Sequence, residues 1–292
     1  MARFGEVVTA MVTPFTESGA LDLDAAASLA RWLGEHGSDG LVVAGTTGEG
    51  PVLTDAEKRD LWRAVAEAVT IPVVAGTGTN DTAHSVELTR QAKEAGVAGA
   101  LVVTPYYNRP SQTGIAGHFR AVASATDLPI LIYDIPIRTG RKIHNDTMVS
   151  LACEQKTIVG VKDAALDVAG SARLIADAPQ SFEVYSGNDD QTLPLLAVGA
   201  VGVISVASHW AGPQIAAMID AFNRGEVVKA REIHNGLLPS WAFQGSEAAP
   251  NPIPTKAVMR VLGHRVGHCR LPNDTGPPDL EARAEELLRA LR

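Results

Sequence analysis

The stretch 157-TIVGVKDAA-165 decides how this chain folds. Ile158, Val159 and Val161 form a β-branched apolar run with no polar alternation, the pattern of a strand covered on both faces. The run ends in Lys162, and an ammonium group is rarely buried without a partner. Two readings stand open at this point. The strand ends and Lys162 meets water, or Lys162 sits at the mouth of an apolar cavity with its pKa lowered for nucleophilic work.

Working outward, seven more runs share the pattern: VVTAMVT (7–13), GLVVAG (40–45), PVVAG (72–76), GALVVTP (99–105), PILIYD (129–134), FEVYSG (182–187) and GVISVA (202–207). A helical pattern follows each strand. One of these, TDAEKRDLWRAVAEAV, opens on Thr54 with Glu57 three residues later, the spacing of a capping box. Eight βα units in series predict an α/β chain folded as a (β/α)8 TIM barrel rather than an open sheet. They occupy residues 1–225. Residues 226–292 carry helical spacing and no strand run, and are expected as a three-helix C-terminal extension packed on the barrel.

The chain has 292 residues, 46% of them hydrophobic, which suffices for a barrel core. Its net charge of −8 argues against nucleic acid or an anionic membrane as a partner. Two cysteines, Cys153 and Cys269, make no disulfide framework. The N-terminus lacks the apolar core of a signal peptide, and no window reaches the roughly 20 apolar residues of a membrane span. A soluble cytoplasmic protein is expected. The eight histidines show no metal-binding spacing, and GTGTND (76–81) holds only part of a dinucleotide loop, so neither metal nor cofactor is expected.

A (β/α)8 barrel carries its active site at the C-terminal ends of the strands. There the sequence places GTTGEG (45–50), PYYNRP (105–110), Tyr133 with IPIRTG (135–140), Lys162, and SGNDD (186–190). A lysine facing phenols and hydroxyls across a barrel mouth favours the second reading of Lys162. Its amine can attack a ketone and form a Schiff base. Tyr133 can shuttle protons. The Thr46–Thr47–Gly48 turn offers backbone N–H groups and hydroxyls to a carboxylate, and Arg138 could hold a second one bidentately. Each also reads as ordinary structure: a glycine turn, a loop arginine, rim packing for Tyr106 and Tyr107. Asp163 is expected on the opposite side of the strand from Lys162, and His209 is expected to be structural.

The ordered set GTTGEGPVLT, TPYYNRPSQTG, YDIPIRTG, GVKDA, YSGND and GVISV resembles the pyruvate-dependent class I aldolases, and among them the dihydrodipicolinate synthase branch. The likeness runs from residue 7 to about 262 and includes PNPIPTKAVMRVLG. It implies condensation of pyruvate with L-aspartate 4-semialdehyde, without a cofactor, on the way to diaminopimelate and lysine. It implies that Lys162 is the Schiff-base lysine and Tyr133 the general acid/base. Thr47, Tyr133 and Tyr107 would form a hydroxyl relay, with Tyr107 reaching in from a neighbouring subunit of a homotetramer. Thr46 and Thr47 would cradle the pyruvate carboxylate, Arg138 would take the carboxylate of the semialdehyde, and Gly187 and Ile204 would line the pocket by their backbone. Lysine-sensitive relatives have Ser, two His, Asn, Glu and Tyr in an effector pocket. Here Asn80 and Tyr106 match, while Gly50, Asp55, Lys58 and His84 do not. A lyase of the same fold acting on a sialic or sugar acid is the rival enzyme, and a non-catalytic ligand sensor the rival of another class.

Overall fold

The computed structural model describes residues 2–291. Eight parallel strands close into a barrel in chain order, with β8 pairing back onto β1. They are β1 (Val7–Ala10), β2 (Gly40–Val43), β3 (Val73–Gly76), β4 (Gly99–Val103), β5 (Ile130–Asp134), β6 (Ile158–Asp163), β7 (Glu183–Ser186) and β8 (Gly202–Ser205). Helices α1 (Leu23–Glu35), α2 (Asp55–Ala68), α3 (Thr82–Glu94) and α4 (Gln112–Ser124) follow the first four strands. A single turn α5 (Pro136–Thr139) and then α6 (Asn145–Glu154) follow β5. The ring is completed by α7 (Val168–Asp177), α8 (Thr192–Ala197) and α9 (Ser208–Asn223).

Local chemistry sets these helix starts. Thr54 and Glu57 cap α2 reciprocally, as the spacing predicts. Asp22, Asp81, Ser111 and Asp167 accept backbone N–H groups at the starts of α1, α3, α4 and α7. Several strands stop short of their apolar runs. Residues 11–13 and 44–45, for example, leave the ladder to build the rim loops.

Two concentric layers hold the barrel. Val8, Val42, Val74, Leu101, Leu131, Tyr133, Tyr185 and Ile204 fill its interior, and Phe4 joins them there. The outward residues of the strands pack on the helices.

After α9 come four helices: α10 (Val227–Gly236), α11 (Leu238–Phe243), α12 (Ile253–Val261) and α13 (Leu280–Ala290). The extension expected as three helices has four, because the stretch 226–244 divides in two. Pro239 lacks an N–H, and its ring would strike the carbonyl four residues back, so the helix restarts at Leu238. These helices share a core with the barrel: Leu237, Ile253, Val258 and Leu280 pack with Val7, Val203 and Trp210. No helix among the described residues is long and apolar enough to cross a membrane.

Candidate active site

Lys162 and Tyr133 are register partners on β6 and β5, so their side chains rise from the same inner face. Both are about 95% buried, and the Lys162 Nζ lies 4.6 Å from the centre of the Tyr133 ring. Asp163, next along β6, turns the other way and accepts from Ser171 Oγ at 2.6 Å and the Ala165 N–H at 3.0 Å.

Burial tunes this pair in opposite senses. Loss of water pushes the Lys162 ammonium down to about 8; buried Asp189 acts against that shift, and Arg138 adds to it. Loss of water pushes the Tyr133 phenol up to about 12, partly offset by Arg138 and by a hydrogen bond with Thr46. Lysine therefore becomes an accessible nucleophile near neutral pH while the tyrosine keeps its proton.

A cavity of about 660 Å³ opens over Lys162, walled by Thr46, Thr47, Tyr133, Arg138, Gly187 and Asp189 among others. A second cavity of about 440 Å³ adjoins it, and Thr46, Tyr133 and Arg138 line both. Neither the Thr46 nor the Thr47 backbone N–H is engaged in a hydrogen bond among the described residues. Two free donors and two hydroxyls at one turn can hold a carboxylate without a cation.

The structure places the residues singled out in the sequence unevenly. Lys162, Tyr133, Thr46, Thr47, Arg138 and Gly187 come together around the larger cavity. Ile204 lies beneath it, packed inside the barrel, and does not line it. Tyr107 lines only the second cavity and is 90% exposed. Its backbone is left-handed at φ 69°, an uncommon conformation for a bulky residue, and it takes no part in the cavity over its own Lys162. Of the relay expected of Thr47, Tyr133 and Tyr107, no hydrogen bond joins Thr47 to Tyr133 among the described residues: Thr46 is the threonine that lowers the Tyr133 pKa, and Thr47 Oγ1 accepts from Asn251 Nδ2. Successive side chains of the turn point different ways, so one threonine serves each neighbour.

His209 is fully buried, accepting from the Val12 N–H at 3.1 Å and bonded to Val206 O at 2.8 Å. Burial holds its pKa down to about 4, so it is a structural, neutral imidazole. Nothing in the local pattern of the SGNDD loop singles out Asp189. It is 4% exposed, accepts from the Val206 and Ala207 N–H groups and from Gln244 Nε2 at 2.7 Å, and pairs with Ser205 Oγ. Asn251 has no local signature either; its Nδ2 donates to Thr47 Oγ1 at 3.0 Å across 204 residues of chain.

Behind the turn, Glu49 stands at φ 55° with its side chain fully buried against Lys256, 2.7 Å away. Lys256 Nζ also donates to His268 O at 2.9 Å and lies 4.2 Å from the centre of the Phe15 ring. The Thr46–Thr47 turn is thus tied to α12.

Comparison with known proteins gives the chain a family. Residues 3–290 match the model of the dihydrodipicolinate synthetase family. A 4-hydroxy-tetrahydrodipicolinate synthase of Acidothermus cellulolyticus is 51% identical over 290 residues, covering 99% of this chain and 91% of that one. One from Moorella thermoacetica is 51% identical over 272 residues, covering 92% of each. A crystal structure of the corresponding enzyme from Cyanidioschyzon merolae with lysine bound superposes with a TM-score of 0.96 at 41% identity, covering 100% of this chain and 99% of that one.

Proposed function

The chain belongs to the dihydrodipicolinate synthetase family, and we propose that it condenses pyruvate with L-aspartate 4-semialdehyde to 4-hydroxy-tetrahydrodipicolinate, on the path to diaminopimelate and lysine. The observation that carries the reading is the buried Lys162 beside Tyr133, with the amine made available and the phenol kept protonated. The neutral amine attacks the ketone of pyruvate. Tyr133 supplies the proton that lets water leave, giving the imine. Loss of a methyl proton gives the enamine, whose carbon attacks the semialdehyde. The amine of the semialdehyde then closes the ring and displaces Lys162, restoring the free enzyme. The Thr46–Thr47 turn holds the pyruvate carboxylate throughout. Residues 1–225 carry this chemistry, and residues 226–292 form the extension that braces it. Turnover of pyruvate with the semialdehyde tests the reaction as a whole; cleavage of a sialic or sugar acid instead would favour the related lyases.

Arg138 is exposed on the rim, shared by both cavities, and suits the carboxylate of the incoming semialdehyde. Arg138→Ala is expected to weaken the semialdehyde roughly tenfold to a hundredfold while pyruvate trapping survives. Steady-state KM values for the two substrates check this. An equal loss of pyruvate trapping would make Arg138 structural. Its removal also takes away a charge that lowers the Lys162 pKa, so the pH dependence of trapping shifts upward.

Tyr107 fits a site completed by a second chain. The exposed Tyr107, at 90%, and Leu271, at 80%, suit burial in an assembly, here a homotetramer built from tight dimers. Tyr107→Phe lowers turnover without unfolding the chain. Mixed with Lys162→Ala under conditions that exchange subunits, it restores activity, because one site then holds both an intact Lys162 and a borrowed Tyr107. Confirmed exchange with no recovery would return Tyr107 to its own chain.

The position of the effector pocket speaks against feedback by lysine. His84 lies 3.0 Å from Asp55, and Lys58 is 94% buried, with burial pushing its pKa down. A basic side chain replaces the acid that would pair with the α-ammonium of an amino acid, and Asp55 is already engaged. Loss of one charge-assisted pair, with a like charge added, weakens binding by roughly tenfold to a thousandfold. Turnover is expected to be indifferent to sub-millimolar L-lysine in a steady-state assay, and half-inhibition in that range would show the pocket intact.

A further inference from the structure

The geometry points to Asn251 as a positioning residue that fixes the Thr47 hydroxyl as a donor into the Lys162 cavity. This rests on the reading of the Thr46–Thr47 turn as the pyruvate carboxylate site. Asn251 sits just before α12, far from the barrel strands in sequence, and lines that cavity. Its amide is held at both ends. Oδ1 accepts from Thr255 Oγ1 at 3.2 Å, and Nδ2 donates to Thr47 Oγ1 at 3.0 Å. Thr255 is fully buried, so the oxygen end of the amide is anchored and the nitrogen end is left facing Thr47.

A threonine hydroxyl has one proton and two acceptor lone pairs. When Asn251 fills a lone pair, the single proton of Thr47 must find another acceptor. Thr47 is 97% buried, and Asn251 is its one side-chain partner among the described residues. The proton is therefore directed into the cavity, where a substrate carboxylate is the acceptor. Together with the free N–H groups of Thr46 and Thr47, this gives a cradle made of donors only. An anion is then preferred over a neutral ketone head without any cation in the cradle, and the C-terminal extension acts on the chemistry through one amide.

The test is a double-mutant cycle read as the KM for pyruvate and the rate of borohydride trapping. Asn251→Ala is expected to raise the pyruvate KM roughly threefold to tenfold, with kcat at saturating pyruvate changed less. Asn251→Asp, the same shape with an acceptor in place of the donor, is expected to raise it further, because it captures the Thr47 proton and repels the carboxylate. In a Thr47→Val background, Asn251→Ala is expected to add nothing, since it acts through that hydroxyl. Additive losses in that background overturn the proposal. So does an Asp variant milder than the Ala variant, which would mean Thr47 donates to residue 251, or a lowered melting temperature with an unmoved KM. Wild-type turnover of pyruvate with the semialdehyde is measured alongside. Its absence overturns the functional reading itself, whereas turnover with an unmoved KM overturns only the role of Asn251.

Discussion

Borohydride added together with pyruvate is expected to leave one adduct per chain, on Lys162, and none on Lys162→Ala. Only a neutral amine attacks a ketone, so the accessible fraction of Lys162 sets the rate of imine formation. With a pKa near 8 rather than the ordinary 10.5, about one tenth of the amine is free at pH 7, a gain of roughly 300-fold over an unshifted lysine. The cause is desolvation, which disfavours the charged form, so the trapping rate rises with pH and levels off above about 8. Mass spectrometry of the reduced protein gives the site, and a pH series of trapping rates gives the midpoint. A Lys162→Ala protein that still traps pyruvate would remove Lys162 from the reaction, and a rate still climbing at pH 10 would show that its pKa is not lowered.

The second large effect is structural and lies behind the cradle. Lys256 and Glu49 form a 2.7 Å pair with both side chains fully buried. Removing one partner from such a pair leaves a charge in a low-dielectric site and costs about 3–5 kcal/mol. Lys256→Met keeps the volume while deleting the cation, and takes away the donor to His268 O as well. Its melting temperature is expected to fall by roughly 10 °C, from the usual few degrees per kcal/mol in a chain of this size. Adding Glu49→Gln should recover much of the loss, because the stranded charge is gone. Glu49 belongs to the turn that carries Thr46 and Thr47, so the single variant also raises the pyruvate KM. A Lys256→Met protein that melts within a degree of wild type would show that the pair contributes nothing net.

The barrel was legible in the sequence because strands covered on both faces leave a strong signal: eight apolar runs, each followed by a helical pattern. The α2 capping box was legible because its two partners are three residues apart. Residue types for the site could be read off as well, since the fold rule sends strand ends to one rim. What could not be read was direction. Simple alternation from the outward Ile158 would put Val161 inside the barrel and Lys162 outside. The structure shows the reverse, because β6 slips by one residue against β5: Ile130 pairs with Ile158, but Leu131 pairs with Gly160. Val159 is the extra residue, so the phase changes there, and Val161 turns to the helices while Lys162 turns in. Gly160 permits the slip, since a Cβ there would lie 2.2 Å from the Glu183 carbonyl oxygen.

The threonine pair and Asn251 tell the same story at longer range. Sequence order gives two adjacent hydroxyls and no means of telling which one meets Tyr133. Only the folded turn brings Thr46 to both cavities beside Tyr133 and turns Thr47 to Asn251. The amide reaches Thr47 because α12 packs back on the barrel through Ile253 and Val258, burial that any apolar residue of similar size could provide. Sequence by itself determined the elements, their order and the chemistry available at the rim, because those follow from local periodicity and a general rule of the fold. Tertiary structure decided which way Lys162 faces, which threonine serves which partner and what braces the cradle. Those depend on register and on contacts between residues up to 204 positions apart, where no local pattern reaches.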